Sequence, residues 1–459
     1  MDSGRWQTPS AQGPVHARLR LPGSKSITNR ALVLAALGES PAVIRGPLTA
    51  RDTTLAVAAL RAMGCAIDEF ATHLVVLPGV PDTPEVAVDV GNAGTVMRFL
   101  PAVAALTPAA VSFDGDPRAR ERPVGVLLQA LRTLGVSIDD GGRGALPFTI
   151  GGTGSVRGGS VTLDASGSSQ LVSGLLLAAP RFDEGVEVRH EGPPVPSIPH
   201  IEMSVAMLRR AGAEVESLGG PRPTRWRVRP GQLDLGHFTV EPDLSNAGPF
   251  LAAALVTGGT VTIADWPANS LQAADAILAV LTQAGASATL GDDGLTLTGT
   301  GVINGIEADL RDIPELCLPL AAVAALASGP SLLTGVGHTR AQETDRLAAI
   351  AKEINALGGD VTESPDGLAI RPRPLRAEAG RPWDSYDDHR MVMAAAVLGL
   401  AVPGIEVLNV ATVGKTFPGF PALWTETVSP GQAPGAPAGT SPGSVTATSA
   451  GTNSVGAAS

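Results

Sequence analysis

At 459 residues, with a formal net charge of −11, 44% hydrophobic and 3% aromatic residues, the chain exceeds what one hydrophobic core usually serves and is expected to form two or three domains. Its acidic balance argues against nucleic acid or an anionic membrane as the main partner, because both call for a basic face. Cys65 and Cys317 sit in apolar runs without metal-ligand spacing, which fits a reduced compartment and no disulfide.

Met1 to Pro22 has no apolar stretch of the signal-peptide kind, and no later segment reads as membrane-spanning once its Gly, Pro and charged neighbours are counted. A cytoplasmic protein is expected. The first motif follows at once: Leu21-Pro-Gly-Ser-Lys-Ser-Ile-Thr-Asn-Arg30 leads into an Ala/Leu-rich helix beginning near Ser26. Comparable helices, each entered from a polar loop, begin near Thr95, Ser169, Ser245, Glu315 and His389, at steps of 69, 74, 76, 70 and 74 residues. Segments such as Leu171 to Ala179 and Leu316 to Ala327 are apolar on nearly every face, which places them centrally.

A second series runs in step. Leu60-Arg-Ala-Met-Gly64, Leu131-Arg-Thr-Leu-Gly135, Leu208-Arg-Arg-Ala-Gly212, Leu281-Thr-Gln-Ala-Gly285 and Ile354-Asn-Ala-Leu-Gly358 each read as an outer, amphipathic helix ending at a glycine C-cap. The glycines stand 71, 77, 73 and 73 residues apart, and Ile67, Ile138, Val215, Ala288 and Val361, three further on, open strand-like text. Six repeated units of about 73 residues emerge, three to a domain, in an α/β fold. The tail, 429–459, is almost wholly Ser, Gly, Pro, Ala and Thr and is expected to be disordered.

The helix entrances carry the chemistry. Each N-terminus offers unpaired amides and a partial positive charge, and loops such as Gly-Ser-Lys-Ser, Gly-Asn-Ala-Gly-Thr and Ser-Gly-Ser-Ser-Gln let an anion approach them. Ordinary N-capping is the alternative for any single loop. Of 33 basic residues only Lys25, Lys352 and Lys415 are lysines, and an ammonium, unlike a guanidinium, can be tuned to give up its proton. Arg98, the run Arg118, Arg120 and Arg122, the pair Glu343 and Arg346, and the cluster Asp387, Asp388, His389 and Arg390 add charge. A solvated arginine cluster and a surface ion pair are the plain alternatives for the second and third of these.

Taken together, Leu21-Pro-Gly-Ser-Lys-Ser, Gly91-Asn-Ala-Gly-Thr95 with Arg98, Arg120-Glu-Arg-Pro123, Ser168-Ser-Gln170, Glu343-Thr-Asp-Arg346, Asp388-His-Arg-Met391 and Lys415-Thr-Phe-Pro418 resemble, in type and order, the signature set of the 5-enolpyruvylshikimate-3-phosphate synthases over residues 15–427. The resemblance implies two similar inside-out α/β barrel domains, residues 23–239 and residues 1–22 with 240–428, closing over a cleft. It implies transfer of the enolpyruvyl group of phosphoenolpyruvate to the 5-hydroxyl of shikimate 3-phosphate, with release of phosphate, in the shikimate pathway. No metal or organic cofactor is implied; the partners are small anionic substrates, and a monomer is expected.

By the same resemblance, shikimate 3-phosphate meets Lys25, Ser26 and Arg30, with Ser168, Ser169 and Ser197 at its phosphate, Gln170 at its ring, and Glu315 and Gln342 beside it. Phosphoenolpyruvate meets Lys25, Arg122, Arg346, Arg390, Lys415 and the Gly94 backbone. Glu315, where the family usually has aspartate, deprotonates the 5-hydroxyl, and Glu343 with Lys25 protonates the methylene carbon. Gln342 replaces a common lysine, with Arg340 a candidate to supply the missing charge; His338, His200 and Phe99 replace asparagine, tyrosine and proline. Gly94 leaves room for glyphosate, the family's inhibitor. The sister transferase acting on a UDP-sugar carries a reactive cysteine in the loop matching Asp114 to Pro123, which has none here. A non-catalytic phosphometabolite sensor and a structural repeat protein are the rivals of other classes.

Overall fold

The computed structural model describes residues 4–429; the tail expected to be disordered lies, beyond Ser429, outside the described residues. The repeat is visible in the backbone of its turns. Gly64, Gly135, Gly212, Gly285 and Gly358 all have positive φ, between 93° and 109°. Each stands one residue past the C-cap instead of at it, which corrects the expected assignment by one position. The amide after each glycine reaches the carbonyl five residues back: Cys65 to Leu60, Val136 to Leu131, Ala213 to Leu208, Ala286 to Leu281 and Gly359 to Ile354, at 3.0–3.1 Å. This Schellman closure satisfies an orphan carbonyl and turns the chain into the next strand.

Five sheets of four strands share one order, a parallel pair followed by an antiparallel hairpin. The sixth unit departs from it. Its sheet is the two-stranded pair Trp6–Gln7 with Glu406–Val407, extended by a single bridge from Trp383 to Val407.

Two sheets borrow a strand. His16–Leu19 pairs parallel with Thr260–Ile263, and His237–Thr239 pairs parallel with Ala42–Arg45. The chain therefore crosses twice, and the crossings run side by side: Ser24 N donates to Glu241 O over 2.8 Å and Asp243 N to Pro22 O over 2.9 Å. A Cβ on Gly23 would lie 2.1 Å from Gly46 O, so the crossing demands glycine. One hydrophobic cluster gathers residues from Ile27 to Val240; another gathers Val15, Leu19 and Leu244 to Val428.

Six central helices, Lys25–Ala36, Gly94–Ala104, Gln170–Ala178, Leu244–Thr257, Cys317–Ala325 and His389–Gly399, run through these cores. Every residue of the last two is buried. Glu315 does not open its α-helix; it lies in a 3-10 turn, Pro314–Leu316, just ahead. No helix among the described residues is long and apolar enough to cross a membrane.

Candidate active site

The helix entrances converge. A cleft open to solvent is lined by Lys25, Gly94, Gln170, Leu244 and His389, the first residues of five central helices, and by Leu316, which precedes the sixth. An N-cap side chain accepts a helix amide at only two of the six, Asp243 and Asp388. Asp243 Oδ2 also takes the Lys25 amide and Ser168 Oγ the Gln170 amide, each at 3.2 Å, while the helices opening at Gly94 and Cys317 have no side-chain cap bond. The cleft thus gathers helix N-termini together with arginines, a local positive field in an acidic chain.

On one wall, the short helix Pro117–Glu121 sorts the arginine run. Arg120 turns out to Asp114, and Arg118 pairs with Glu121 while its Nε reaches the carbonyls of Gln342 and Glu343 at 3.2 Å. Arg122 alone turns in, 5% exposed, donating to Asn92 O at 2.9 Å and Asn92 Oδ1 at 2.8 Å. Beside it Arg98 donates to Gln170 Oε1 over 3.2 Å. Burial, reinforced by the Arg122 charge, lowers Arg98 to about 9. Gly94 lies among them: a Cβ there would sit 2.8 Å from Arg122 Nη2 and 2.9 Å from Arg98 Nη1.

The facing wall holds a buried ion cluster. Arg346, the first residue of helix Arg346–Ala356, donates through Nε to Asp388 Oδ2 at 2.7 Å and through Nη2 to Glu343 Oε2 at 3.1 Å. The side chains of Arg346 and Glu343 are 4% and 8% exposed, so this is no surface pair. Lys415 Nζ lies 3.0 Å from Glu343 Oε1. Burial pushes the Glu343 carboxyl up, but Lys415, Arg346, Arg122 and His389 outweigh it and hold it well below the usual carboxylate range. His389, at the entrance of its helix, is pushed well below the ordinary imidazole value by burial and by Arg390.

Glu315 sits apart from Glu343, with His200 Nδ1 3.7 Å from its Oε1. Burial raises its carboxyl, yet His200, Arg390 and Arg346 bring it below its ordinary value. His338 also feels the Glu315 charge, against a stronger lowering by burial. Arg390 donates to Ser245 O and Oγ, both at 3.0 Å. Its Nε, like those of Arg98 and Arg122, is buried without a partner among the described residues.

Lys25, Ser26, Gly94, Arg122, Ser168, Gln170, Glu315, Gln342, Glu343, Arg346 and Arg390 all line the cleft. Arg30, Ser169, Ser197 and Lys415 do not. Arg30 is 1% exposed and holds Ser204 Oγ, Ser26 O and His200 O, beneath the Phe99 ring. Ser197 takes a left-handed φ of 53° and donates its amide to Arg311 O across the lobes. Lys415 stands behind Glu343, its Nζ on Asn92 O at 2.7 Å. Arg340 does not supply the charge that Gln342 lacks: it turns away to Asp345 and Glu363. Sequence reasoning missed Asp52, Asn92 and Asp243. Each meets a partner at least 27 residues distant. Asn92 lies in the Gly91-Asn-Ala-Gly-Thr95 loop and Asp243 at a helix N-cap, so local pattern marks the place of these two without showing their partners.

Two α/β lobes of like units, with six helix entrances and buried arginines around one cleft, define a two-domain enzyme acting on small, multiply charged anions. Over residues 9–424 the chain matches the family EPSP synthase (3-phosphoshikimate 1-carboxyvinyltransferase). It is 50% identical over 434 residues to the 3-phosphoshikimate 1-carboxyvinyltransferase of Kocuria rhizophila, covering 92% of this chain and 96% of that protein. It is 50% identical over 429 residues to that of Mycobacterium ulcerans, covering 92% and 97%. An EPSP synthase structure from Acinetobacter baumannii aligns with a TM-score of 0.75 at 25% identity, over 92% of this chain and 98% of that one. The chain belongs to the EPSP synthase family, enolpyruvyl transferases of the shikimate pathway.

Proposed function

We propose that the cleft joins phosphoenolpyruvate to shikimate 3-phosphate by addition and elimination, with Glu315 and Glu343 as its two proton-handling groups. The observation that carries the reading is that both carboxylates stand among cations on one cleft: Glu343 lies 3.1 Å from Arg346 and 3.0 Å from Lys415, and Glu315 shares the lining with Arg346 and Arg390, groups an anionic substrate would engage. In this reading shikimate 3-phosphate lies against Lys25, Ser26, Ser168 and Gln170, with Arg30, Ser169 and Ser197 shaping that wall from behind. Phosphoenolpyruvate lies on Arg122, Arg346 and Arg390 beside Gly94, with Lys415 behind Glu343. Guanidinium forks suit its carboxylate and phosphate.

Glu315 takes the proton of the 5-hydroxyl as its oxygen bonds to C2 of phosphoenolpyruvate, while Glu343 delivers a proton to C3 and turns the methylene into a methyl group. C2 then carries the former 5-hydroxyl oxygen and the phosphate oxygen in a tetrahedral ketal. In the second half a methyl proton returns to Glu343, the bond from C2 to the phosphate oxygen breaks as that oxygen takes up the proton held by Glu315, and an enolpyruvyl ether and inorganic phosphate leave with both carboxyls restored. Glu343 must hold a proton to act first. A phosphate on Arg122 and Arg346 offsets charges that keep its carboxyl ionised, and so raises its proton affinity when substrate arrives.

The reading takes residues 23–239 as one domain and 1–22 with 240–428 as the other, supported by the two hydrophobic clusters. It takes the enzyme to work in the cytoplasm as a monomer, in keeping with two free, buried cysteines and a cleft assembled within one chain. The test is turnover in deuterium oxide. The transient methyl group should carry solvent deuterium into the enolpyruvyl methylene of product and recovered phosphoenolpyruvate, and Glu343→Gln should stop it. Product formed by the wild type without deuterium would refute the addition step, and binding with no product would favour a sensor.

A further inference from the structure

Asp52 is the second residue of helix Arg51–Ala62 and is 1% exposed. Buried aspartates in this fold otherwise serve the backbone. Asp140 accepts the amides of Gly142 and Gly144, Asp243 those of Lys25 and Asn246, and Asp388 that of Arg390. Of these four buried aspartates among the described residues, Asp52 alone accepts no backbone amide. Its carboxylate faces two ammonium groups instead: Oδ2 lies 3.2 Å from Lys25 Nζ, and Oδ1 lies 3.8 Å from Lys415 Nζ.

A buried carboxylate without amide donors is costly unless its ionic partners hold it, and here those partners are the two lysines of the site. They come from different lobes, Lys25 beside the first crossing and Lys415 from the far end of the described chain. The third lysine, Lys352, lies elsewhere, over the Tyr386 ring. We infer that Asp52 is a positioning residue that holds Lys25 and Lys415 through its two oxygens, and so couples the meeting of the lobes to the placing of both ammonium groups at the reacting substrates. Lys415 is thereby aimed at Glu343 and Asn92, and Lys25 is kept at the helix entrance it shares with the Asp243 carboxylate. The inference rests on the proposed transfer reaction.

The test is a double-mutant cycle on turnover, with Asp52→Asn, Lys415→Met and the pair, read as kcat with both substrates saturating. Asp52→Asn should lower kcat about 10- to 100-fold, the range for a group that orients a reacting one, with the KM for shikimate 3-phosphate changed far less. Asp52→Asn should cost clearly less kcat in the Lys415→Met background than in the wild type, the remainder being its action through Lys25. Asp140→Asn, a loop-holding change, should lower the melting temperature and leave kcat in place. If Asp52→Asn does not fold, Asp52→Glu keeps the charge and displaces it; the inference requires kcat to fall there also, with the same coupling to Lys415. Effects that multiply independently, or a wild-type kcat in Asp52→Asn or Asp52→Glu, would overturn the inference while leaving the transfer reaction standing. An inactive wild type would overturn both.

Discussion

Lys415 Nζ donates to the Asn92 carbonyl over 2.7 Å, a bond between residues 323 apart that ties one lobe to the other. Asn92 also receives Arg122, and Lys415 also meets Glu343, so one contact joins the meeting of the lobes to the charged cluster. Replacing Lys415 with Met should lower kcat/KM by about 10²- to 10³-fold, the scale for losing one charged donor from a preorganised site. Steady-state kinetics checks this, with the melting temperature showing that the fold persists.

Glu343→Gln leaves Arg346 and Lys415 with one counter-charge fewer. Turnover should drop by about 10²- to 10⁴-fold as the proton donor is lost. Inorganic phosphate, in contrast, should bind more tightly than to the wild type. Calorimetric titration with phosphate distinguishes this from general damage, which would weaken both.

Acid should destabilise the protein from neutral pH downward. Burial and Arg390 hold His389 well below the ordinary imidazole value, and burial lowers His200 and His338 as well. Where these groups are neutral in the fold, the unfolded chain takes up protons below about pH 6.5. The unfolded state then binds more protons, so the stability present above that pH is lost as pH falls toward the depressed folded values. The melting temperature should fall from about pH 7.5 to about pH 5.5, and less steeply in His389→Gln.

Local rules made much of this fold legible. Each outer helix ends through the same glycine turn because positive φ is cheap only for glycine, and the fully apolar central helices could only be interior. The sixth unit has no hairpin after its outer helix Phe420–Val428 among the described residues, and neither that nor the strand exchange between lobes has a local signal. In the site, cations at helix entrances were readable, whereas Asp52 and Asn92 gain their roles from partners brought up by tertiary folding. Arg30 carries the right chemistry in the right motif, but its guanidinium is occupied by Ser204, Ser26 and His200.

Gly94→Ala should weaken phosphoenolpyruvate selectively. Its Cβ would intrude within 3.1 Å of Arg122, Arg98 and Gln170, where nearest neighbours must shift. The KM for phosphoenolpyruvate should rise about 10-fold or more, near the cost of a misplaced contact, and glyphosate inhibition should weaken with it. The KM for shikimate 3-phosphate should change least.

Arg340→Gln should leave kcat within about twofold, since surface ion pairs contribute little and Arg340 meets Asp345 and Glu363 outside the cleft. A large loss of shikimate 3-phosphate affinity would instead mean that Arg340 swings inward on binding. The comparison of KM values decides it.

The most direct measurement is phosphate release from phosphoenolpyruvate by the purified protein, with and without shikimate 3-phosphate. The account predicts release that needs both substrates, is suppressed by glyphosate and collapses in Glu343→Gln. Binding of both substrates with no phosphate released would contradict it.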